Sequence, residues 1–163
     1  MGSVVFFVVA PGVVAGVIPG RLTGWWDGAD APGYLVPLRV VGGLLVGAGV
    51  AVLVPAFVRF VSEGVGTPAP VAPTEQLVIG GLYRYVRNPM YVAVVAIVVG
   101  QALLLARPVL LAYAAVAAAA MVSFVTLYEE PALSRRYGEA YDAYRRAVPG
   151  WLPRPGRLQR PRL

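Results

Sequence analysis

The chain has 163 residues, of which 58% are hydrophobic and only 13% are charged. Soluble domains carry about a quarter charged residues, so this composition indicates lipid around much of the surface. All fourteen basic residues are arginine, and the net charge is +6. The sequence contains neither cysteine nor histidine. Disulfides, thiolate nucleophiles and the commonest metal ligand are therefore excluded, and no metal site is expected.

Four apolar stretches predict an all-α, polytopic integral membrane protein with about four transmembrane helices. They run, in chain order, over residues 4–18, 40–58, 90–106 and 109–127. A membrane-crossing helix needs about 17–25 mainly apolar residues, and the last three stretches fit that range. The first is short and contains Pro11; the alternative of a signal peptide lacks a basic leading region. Only Arg107 and Pro108 separate the last two, which predicts a tight antiparallel hairpin.

The distribution of arginine predicts the orientation of the chain. Three arginines, Arg21, Arg39 and Arg107, fall on one side of the four stretches, and the other eleven fall on the opposite side. Cytoplasmic loops carry the excess of positive charge. We therefore predict a multi-pass protein of the inner cell membrane with both termini in the cytoplasm. The eight arginines from Arg135 to Arg162 are interpreted as contacts to anionic lipids, and nucleic acid is not an expected partner.

The length leaves room for a single membrane domain. Within it we distinguish an N-terminal helical pair over residues 1–62, a core that carries the polar residues over 63–152 and a basic tail over 153–163. Glycine and proline are frequent over residues 64–73, which predicts an irregular loop.

The third apolar stretch has a well-marked beginning at Asn88 and Pro89. Asparagine is a favoured N-cap, and proline suits the first helical position. Such a helix start presents free N–H groups that can bind an anion such as a carboxylate, and Arg84 and Arg87 would reinforce that preference. The alternative is an ordinary capped helix whose arginines extend to the membrane surface.

The fourth apolar stretch leads into Tyr128–Pro131, where we expect its helix to end. Two adjacent carboxylates at a helix C-terminus are unfavourable without a nearby cation. Ser123, Thr126 and Glu130 share one helical face, which predicts a polar stripe facing the interior of the helix bundle or a cavity. The alternative is that both carboxylates pair with Arg135–Arg136.

Residues 133–146 are predicted to form a C-terminal amphipathic helix. Tyr137, Tyr141 and Tyr144 fall on one face, and charged residues cover the other. This pattern is typical of a helix that anchors on the membrane surface. The alternative is that the tyrosines form one wall of a site.

Two segments resemble known signatures of one enzyme family. Gly81–Tyr91 resembles the glycine–tyrosine–arginine–histidine–proline–tyrosine signature of the isoprenylcysteine carboxyl methyltransferase and phospholipid methyltransferase superfamily. Glu129–Tyr144 resembles its second signature, which is a glutamate pair, a leucine, an aromatic–glycine pair and two spaced tyrosines. The loop Gly66–Pro70 is similar to that of bacterial members. The resemblance covers Gly66 to Pro153, and the two signatures occur in the family's order.

The resemblance implies a methyltransferase that uses S-adenosylmethionine and acts on a lipophilic or lipid substrate entering from the bilayer. The cofactor would lie on the cytoplasmic side, between the last two spans and the C-terminal segment. Matching positions give a set of cofactor-binding residues from both signatures: Tyr83, Arg87, Asn88, Pro89, Tyr91, Glu129, Glu130, Tyr137, Tyr141 and Tyr144. Glu130 and Arg87 are the residues predicted to act most directly in catalysis.

Two positions depart from the family pattern. Asn88 stands where the best-known members have histidine, and Ala93 stands where many have glycine. The acceptor, a carboxylate or an amine, therefore stays open, as does the oligomeric state. A membrane lipid or sterol reductase that uses a nicotinamide cofactor is one alternative. A small transporter or non-catalytic scaffold is another, although the first apolar stretch lacks the buried carboxylate expected of a small multidrug exporter.

Overall fold

The computed structural model describes residues 10–24, 32–63 and 77–153, and every regular element in these ranges is helical. The predicted all-α class is therefore confirmed for the described chain. Residues 4–9 of the first apolar stretch, the loop Gly66–Pro70 and the tail beyond Pro153 lie outside the described residues.

Within the described ranges six α-helices follow one another: α1 (Ile18–Thr23), α2 (Val36–Glu63), α3 (Pro89–Leu104), α4 (Val109–Phe124), α5 (Glu130–Tyr137) and α6 (Glu139–Ala147). Two wide π-helical turns adjoin them, Val13–Val17 before α1 and Val125–Glu129 between α4 and α5. Two narrow 3₁₀ turns, Gly33–Leu35 and Gly81–Arg84, lie before α2 and α3.

Two helical stretches are long and apolar enough to cross a membrane, Gly33–Arg59 and Val109–Tyr137. The first extends beyond the predicted residues 40–58 at both ends, and the second continues ten residues past the predicted end. Helix α3 has 16 residues and is about 24 Å long, slightly less than a typical span. The described chain thus contains two candidate spans and one shorter apolar helix.

Helices α2 and α3 cross with their backbones in contact. A Cβ atom added to Gly42 would lie 2.6 Å from the carbonyl oxygen of Gly100, and one added to Gly49 would lie 3.0 Å from that of Ala93. Such close approach requires small residues, which also favour helix association in lipid. The Arg39 Nε atom donates to the Leu104 carbonyl at 3.1 Å, so α2 begins where α3 ends.

The predicted tight hairpin joins α3 to α4. Residues 105–108 form the connection, in which Ala106 adopts a positive φ of 52° and the Arg107 N–H donates to the Ala102 carbonyl at 2.9 Å. The Gln101 side chain donates to the Ala15 carbonyl at 2.6 Å. The N-terminal π turn is therefore held at the hairpin end of the molecule.

The helix that begins with α4 does not end at Tyr128–Pro131, contrary to the prediction. The Glu130 N–H bonds to the Val125 carbonyl in the wide π pattern, and Pro131 occupies the start of α5. Proline lacks an N–H group, but the first N–H groups of a helix have no partner inside the helix, so Pro131 costs no hydrogen bond at this position. The helical stretch therefore continues to Tyr137.

The predicted polar stripe is also wrong. Ser123 and Thr126 are exposed, whereas Glu130 is buried. The π turn between them changes the number of residues per turn, which separates faces that regular spacing would align. The Thr126 hydroxyl instead donates to the Val122 carbonyl at 2.8 Å, within its own helix.

The predicted C-terminal helix is divided at Gly138. This residue has φ 53° and ψ −129°, a conformation essentially restricted to glycine. The chain turns there, and the Ser134 hydroxyl donates to Asp142 at 3.0 Å across the break. Tyr137 therefore belongs to α5, whereas Tyr141 and Tyr144 belong to α6.

Candidate functional site

Three parts of the chain meet at the end of the molecule opposite the α3–α4 hairpin. They are the start of α3 with the 3₁₀ turn before it, the π turn that leads into α5, and α6 with the residues that follow it. The Tyr91 hydroxyl in the first turn of α3 donates to Glu129 at 3.1 Å. This bond shows that the beginning of α3 and the end of the π turn are neighbours.

Arg87 is the most connected side chain at this end. Its Nη1 atom lies 2.5 Å from Glu130 Oε1 and 3.3 Å from the Tyr141 hydroxyl, while Nε donates to the Val148 carbonyl at 3.1 Å. The Arg87 side chain is only 14% exposed and that of Glu130 only 11%. One guanidinium thus links the segment before α3 to α5 and α6 in a largely desolvated position.

Glu130 receives a second arginine from α6. The Arg145 Nη2 atom lies 3.2 Å from Glu130 Oε2, but its side chain is 53% exposed. The alternative prediction paired the glutamates with Arg135–Arg136. Among the described residues, however, Glu130 forms its ion pairs with Arg87 and Arg145. Arg136 lies over the ring of Tyr137, 5.7 Å from its centroid.

The adjacent Glu129 has a different environment. In the described ranges its recorded partner is the Tyr91 hydroxyl, and no arginine there pairs with it. Two neighbouring glutamates therefore differ in charge balance, since Glu130 contacts two guanidinium groups and Glu129 contacts a neutral phenol.

Tyr83 contributes a buried hydroxyl on the same side. The residue is 6% exposed, and its hydroxyl has no hydrogen-bond partner among the described residues. Burial, with smaller contributions from Tyr144 and Glu129, raises the pKa of Tyr83, so this hydroxyl stays protonated and able to donate. The Tyr144 hydroxyl donates to the Tyr83 carbonyl at 2.7 Å, which ties α6 to the 3₁₀ turn.

The predicted helix start at Asn88 and Pro89 is confirmed, but not its cap. Helix α3 begins at Pro89, and the Asn88 side chain makes no capping bond. Instead, Asn88 Nδ2 donates to the Gly150 carbonyl at 3.1 Å. The asparagine therefore fixes a segment 62 residues away rather than its own helix.

The tyrosine face packs against the protein itself. Tyr141 and Tyr144 are 2% and 5% exposed and form an apolar cluster with Val148. Partly buried residues pack around that cluster: Leu77, Ile79, Leu133 and Tyr137. Burial, followed by Glu130, raises the pKa of Tyr141 although Arg87 opposes the change. These buried tyrosines thus form one wall of the polar network.

The structure brings together nine of the ten predicted site residues at one end, by direct polar contact or adjacent packing. Tyr137 lies at the margin, in the packing around the tyrosine cluster. Sequence reasoning missed Arg145 and the segment Val148–Trp151. The signal was present, since an apolar residue, a Pro–Gly turn and a tryptophan stand between the charged α6 and the arginine-rich tail.

Comparison with known proteins identifies a family. A family model described as phospholipid methyltransferase matches residues 38–140, well over half of the chain. No curated protein and no solved structure matches it. The matched range contains Arg87, Asn88, Glu129 and Glu130, whereas Tyr141, Tyr144 and Val148–Trp151 lie beyond it.

Proposed function

The chain belongs to the phospholipid methyltransferase family, and from that premise we propose that it is an integral-membrane methyltransferase that transfers a methyl group from S-adenosylmethionine to a lipophilic acceptor. The family and the two long apolar helices make it a membrane protein. The proposal adds the methyl donor, the class of acceptor and the residues that bind them.

One observation carries the proposal. The start of α3 lies beside the Arg87–Glu130 ion pair and beside the carboxylate of Glu129, which pairs with no arginine among the described residues. S-adenosylmethionine carries a carboxylate together with ammonium and sulfonium groups. A site for it needs cationic and anionic groups within one small region, because charge-assisted hydrogen bonds are the strong ones.

The residues present fit such a group. Helix geometry leaves the N–H groups of Met90 and Tyr91 without acceptors inside α3, and Arg87 adds positive charge beside them. Glu129 offers a carboxylate to a cation, and the Tyr83 hydroxyl, which has no partner in the described part of the chain, lies on the same side. We assign the helix start and Arg87 to the donor's carboxylate and Glu129 to its cationic groups. When bound, S-adenosylmethionine would supply an electrophilic methyl group.

The chain's own contribution to the reaction would be positioning. Arg87 is held from three directions, by Glu130, Tyr141 and the Val148 carbonyl, so its orientation is restricted before any ligand binds. Holding reactants in alignment can supply much of the acceleration of a displacement reaction. A carboxylate acceptor needs no base, whereas an amine acceptor must lose a proton, which a glutamate can accept.

A lipophilic acceptor is supported by an open groove between the N-terminal segment and α2. The groove has a volume of about 360 Å³ and is lined by apolar residues, among them Ala15, Val50, Val54, Phe57 and Ile97. Pockets of this size accommodate small organic ligands. Phe57 follows Ala56, which packs in the same cluster as Tyr83, so the groove leads toward the site.

We further propose four spans with the site facing the cytoplasm, and we retain the division into residues 1–62, 63–152 and 153–163. The arginine distribution supports this orientation. Arg39 lies at the hairpin end, where it bonds to Leu104. Arg59 lies beside Gly81 at the site end, where Arg87 and Arg145 also meet.

The proposal is tested by following labelled methyl groups. Detergent-purified protein is incubated with methyl-labelled S-adenosylmethionine and a bacterial lipid extract, and label in the organic phase is counted. We expect transfer by the native protein and at least a tenfold loss, about 1.4 kcal/mol, in Arg87→Ala and Glu130→Gln. Because both variants remove contacts of the site and no apolar helix residue, membrane insertion should be retained.

Two matched controls use the same kinds of substitution on exposed residues. Arg84→Ala removes an exposed arginine three residues from Arg87, and Glu139→Gln neutralises an exposed glutamate at the start of α6. Both should transfer label at the native rate. Equal activity in all four variants would remove the assigned site, and absence of transfer by the native protein to any lipid fraction would count against the activity.

A further inference from the structure

Asn88 is one of the two residues that depart from the family pattern that this sequence resembles, and its contacts indicate what it does. Its backbone N–H and its side-chain Nδ2 both donate to one acceptor, the Gly150 carbonyl, each at 3.1 Å. Asn88 is 8% exposed. A buried residue whose backbone N–H and side-chain Nδ2 both bond to one distant carbonyl is fixed in place, and it fixes that carbonyl in turn.

The neighbouring contacts extend this attachment into a short paired segment. The Arg87 N–H donates to the Pro149 carbonyl at 2.9 Å, and Arg87 Nε donates to the Val148 carbonyl at 3.1 Å. Three successive carbonyls after α6 are therefore held by two residues before α3. We name Val148–Trp151 the C-terminal clasp.

The clasp ends in an aromatic contact beside the site. The ring of Trp151 lies 6.4 Å from that of Tyr91, with their planes 44° apart, and the Tyr91 hydroxyl bonds to Glu129. Trp151 is half-buried. Its indole thus packs against the tyrosine that bonds to Glu129, and part of its surface is available to a ligand.

We infer that Asn88 is a positioning residue that acts through the C-terminal clasp, and that Trp151 is a ligand-contacting wall of the methyl-donor site. This inference rests on the proposed function for the identity of the ligand, but the geometry of the clasp does not depend on it. In this assignment Asn88 holds Gly150 in place, which positions the ring of Trp151 against that of Tyr91.

The test asks whether the side-chain hydrogen-bond donor of Asn88, Nδ2, is required. Asn88→Asp keeps the size and shape but replaces Nδ2 with an oxygen that accepts only, and it places a negative charge against the Gly150 carbonyl. Asn88→His changes the shape but keeps an N–H donor. A role that depends on the donor predicts that aspartate fails and histidine restores function, whereas a role in filling space predicts the reverse order.

The first readout is the position of Trp151 itself, measured without ligand. Trp25 and Trp26 are replaced with phenylalanine so that Trp151 is the sole indole. In this background, Asn88→Asp should shift the emission to longer wavelength and increase quenching by iodide at least twofold. Asn88→His should leave both close to the parent values. Unchanged emission and quenching in Asn88→Asp would overturn the role of Asn88.

The second readout is affinity for S-adenosylhomocysteine, measured calorimetrically. We expect about tenfold weaker binding for Asn88→Asp and for Trp151→Leu, and less than threefold for Asn88→His. Leu152→Ala, which alters the exposed neighbour of Trp151, should bind like the native protein. If Asn88→Asp does not fold, Trp151→Leu decides alone, since native-like affinity there overturns the wall assignment. Failure of the native protein to bind would instead refute the proposed function, while the fluorescence result would still stand.

Discussion

The crossing of α2 and α3 and the polar site beyond it are held together in opposite ways. At the crossing, Gly42, Gly49 and Gly100 let two backbones touch, and the close contacts there come from the absence of side chains. At the site, Arg87, Glu130 and their partners are joined by directional bonds. In lipid there is no hydrophobic driving force for helices to associate, so close van der Waals packing of small residues stabilises their contact. The Arg87–Glu130 ion pair lies at the site end, beyond this packing of small residues.

The two regions should therefore fail differently. Loss of fit at the crossing should displace α3 as a whole and lower stability without a specific effect on charge. Loss of one polar partner at the site should leave a buried charge uncompensated, with a cost that depends on how far that group is removed from solvent.

The largest effect is expected from Arg87. Removing one partner of a buried ion pair costs about 3–5 kcal/mol, and the Arg87 side chain is 14% exposed. Arg145 binds the same carboxylate but is 53% exposed, and exposed pairs contribute about 0.2–1 kcal/mol. Thermal unfolding in detergent should thus show a much larger loss for Arg87→Ala than for Arg145→Ala. Equal losses would mean that burial does not govern this network.

A smaller effect is expected at the crossing. The Cβ of Gly42→Ala would meet backbone atoms of Leu104 and Gly100 at 2.5 and 2.6 Å, so one helix must shift. Overpacking of this kind costs about 1–3 kcal/mol. The matched control is Gly47→Ala in the same helix, because no atom lies within 4 Å of that added Cβ; alanine there should be neutral or stabilising by up to about 1 kcal/mol. The pair is compared by thermal unfolding, and equal unfolding midpoints would contradict the described crossing.

The smallest effect is expected at Tyr91. Tyr91→Phe removes one hydrogen bond to Glu129, worth about 1 kcal/mol, and leaves the ring contact with Trp151 in place. Tyr85→Phe alters an exposed tyrosine and should be neutral. If Glu129 contacts the methyl donor, Tyr91→Phe should also weaken S-adenosylhomocysteine binding severalfold in calorimetry. Native-like binding would show that the Tyr91 bond does not orient Glu129.

Local features of the sequence predicted much of this molecule. The helix start at Pro89, the hairpin at Arg107 and Pro108 and the helical class all follow from patterns within a few residues. The two signatures, which contain Arg87 and the glutamate pair, also identified the family correctly. These features depend on periodicity, capping preference and composition, which are properties of neighbouring residues.

The features that sequence reasoning missed depend on distant partners. The sequence predicts that Asn88 caps α3, but its side chain instead donates a hydrogen bond to the Gly150 carbonyl. Glu130 was considered a partner of the nearby Arg135–Arg136, yet it meets Arg87, 43 residues earlier in the chain. The π turn before Glu130 disrupted the assumed spacing of the polar stripe. Regular spacing cannot reveal such a turn, because the arrangement depends on what Glu130 contacts after folding.

We propose that the polar site binds S-adenosylmethionine, and this claim is tested by calorimetric titration of the detergent-purified native protein with S-adenosylmethionine and S-adenosylhomocysteine. We predict saturable binding of both with micromolar dissociation constants, about −8 kcal/mol, and no comparable binding of a nicotinamide dinucleotide. A folded protein that binds neither S-adenosyl compound, or that binds the nicotinamide dinucleotide instead, would contradict the claim and favour a scaffold or a reductase.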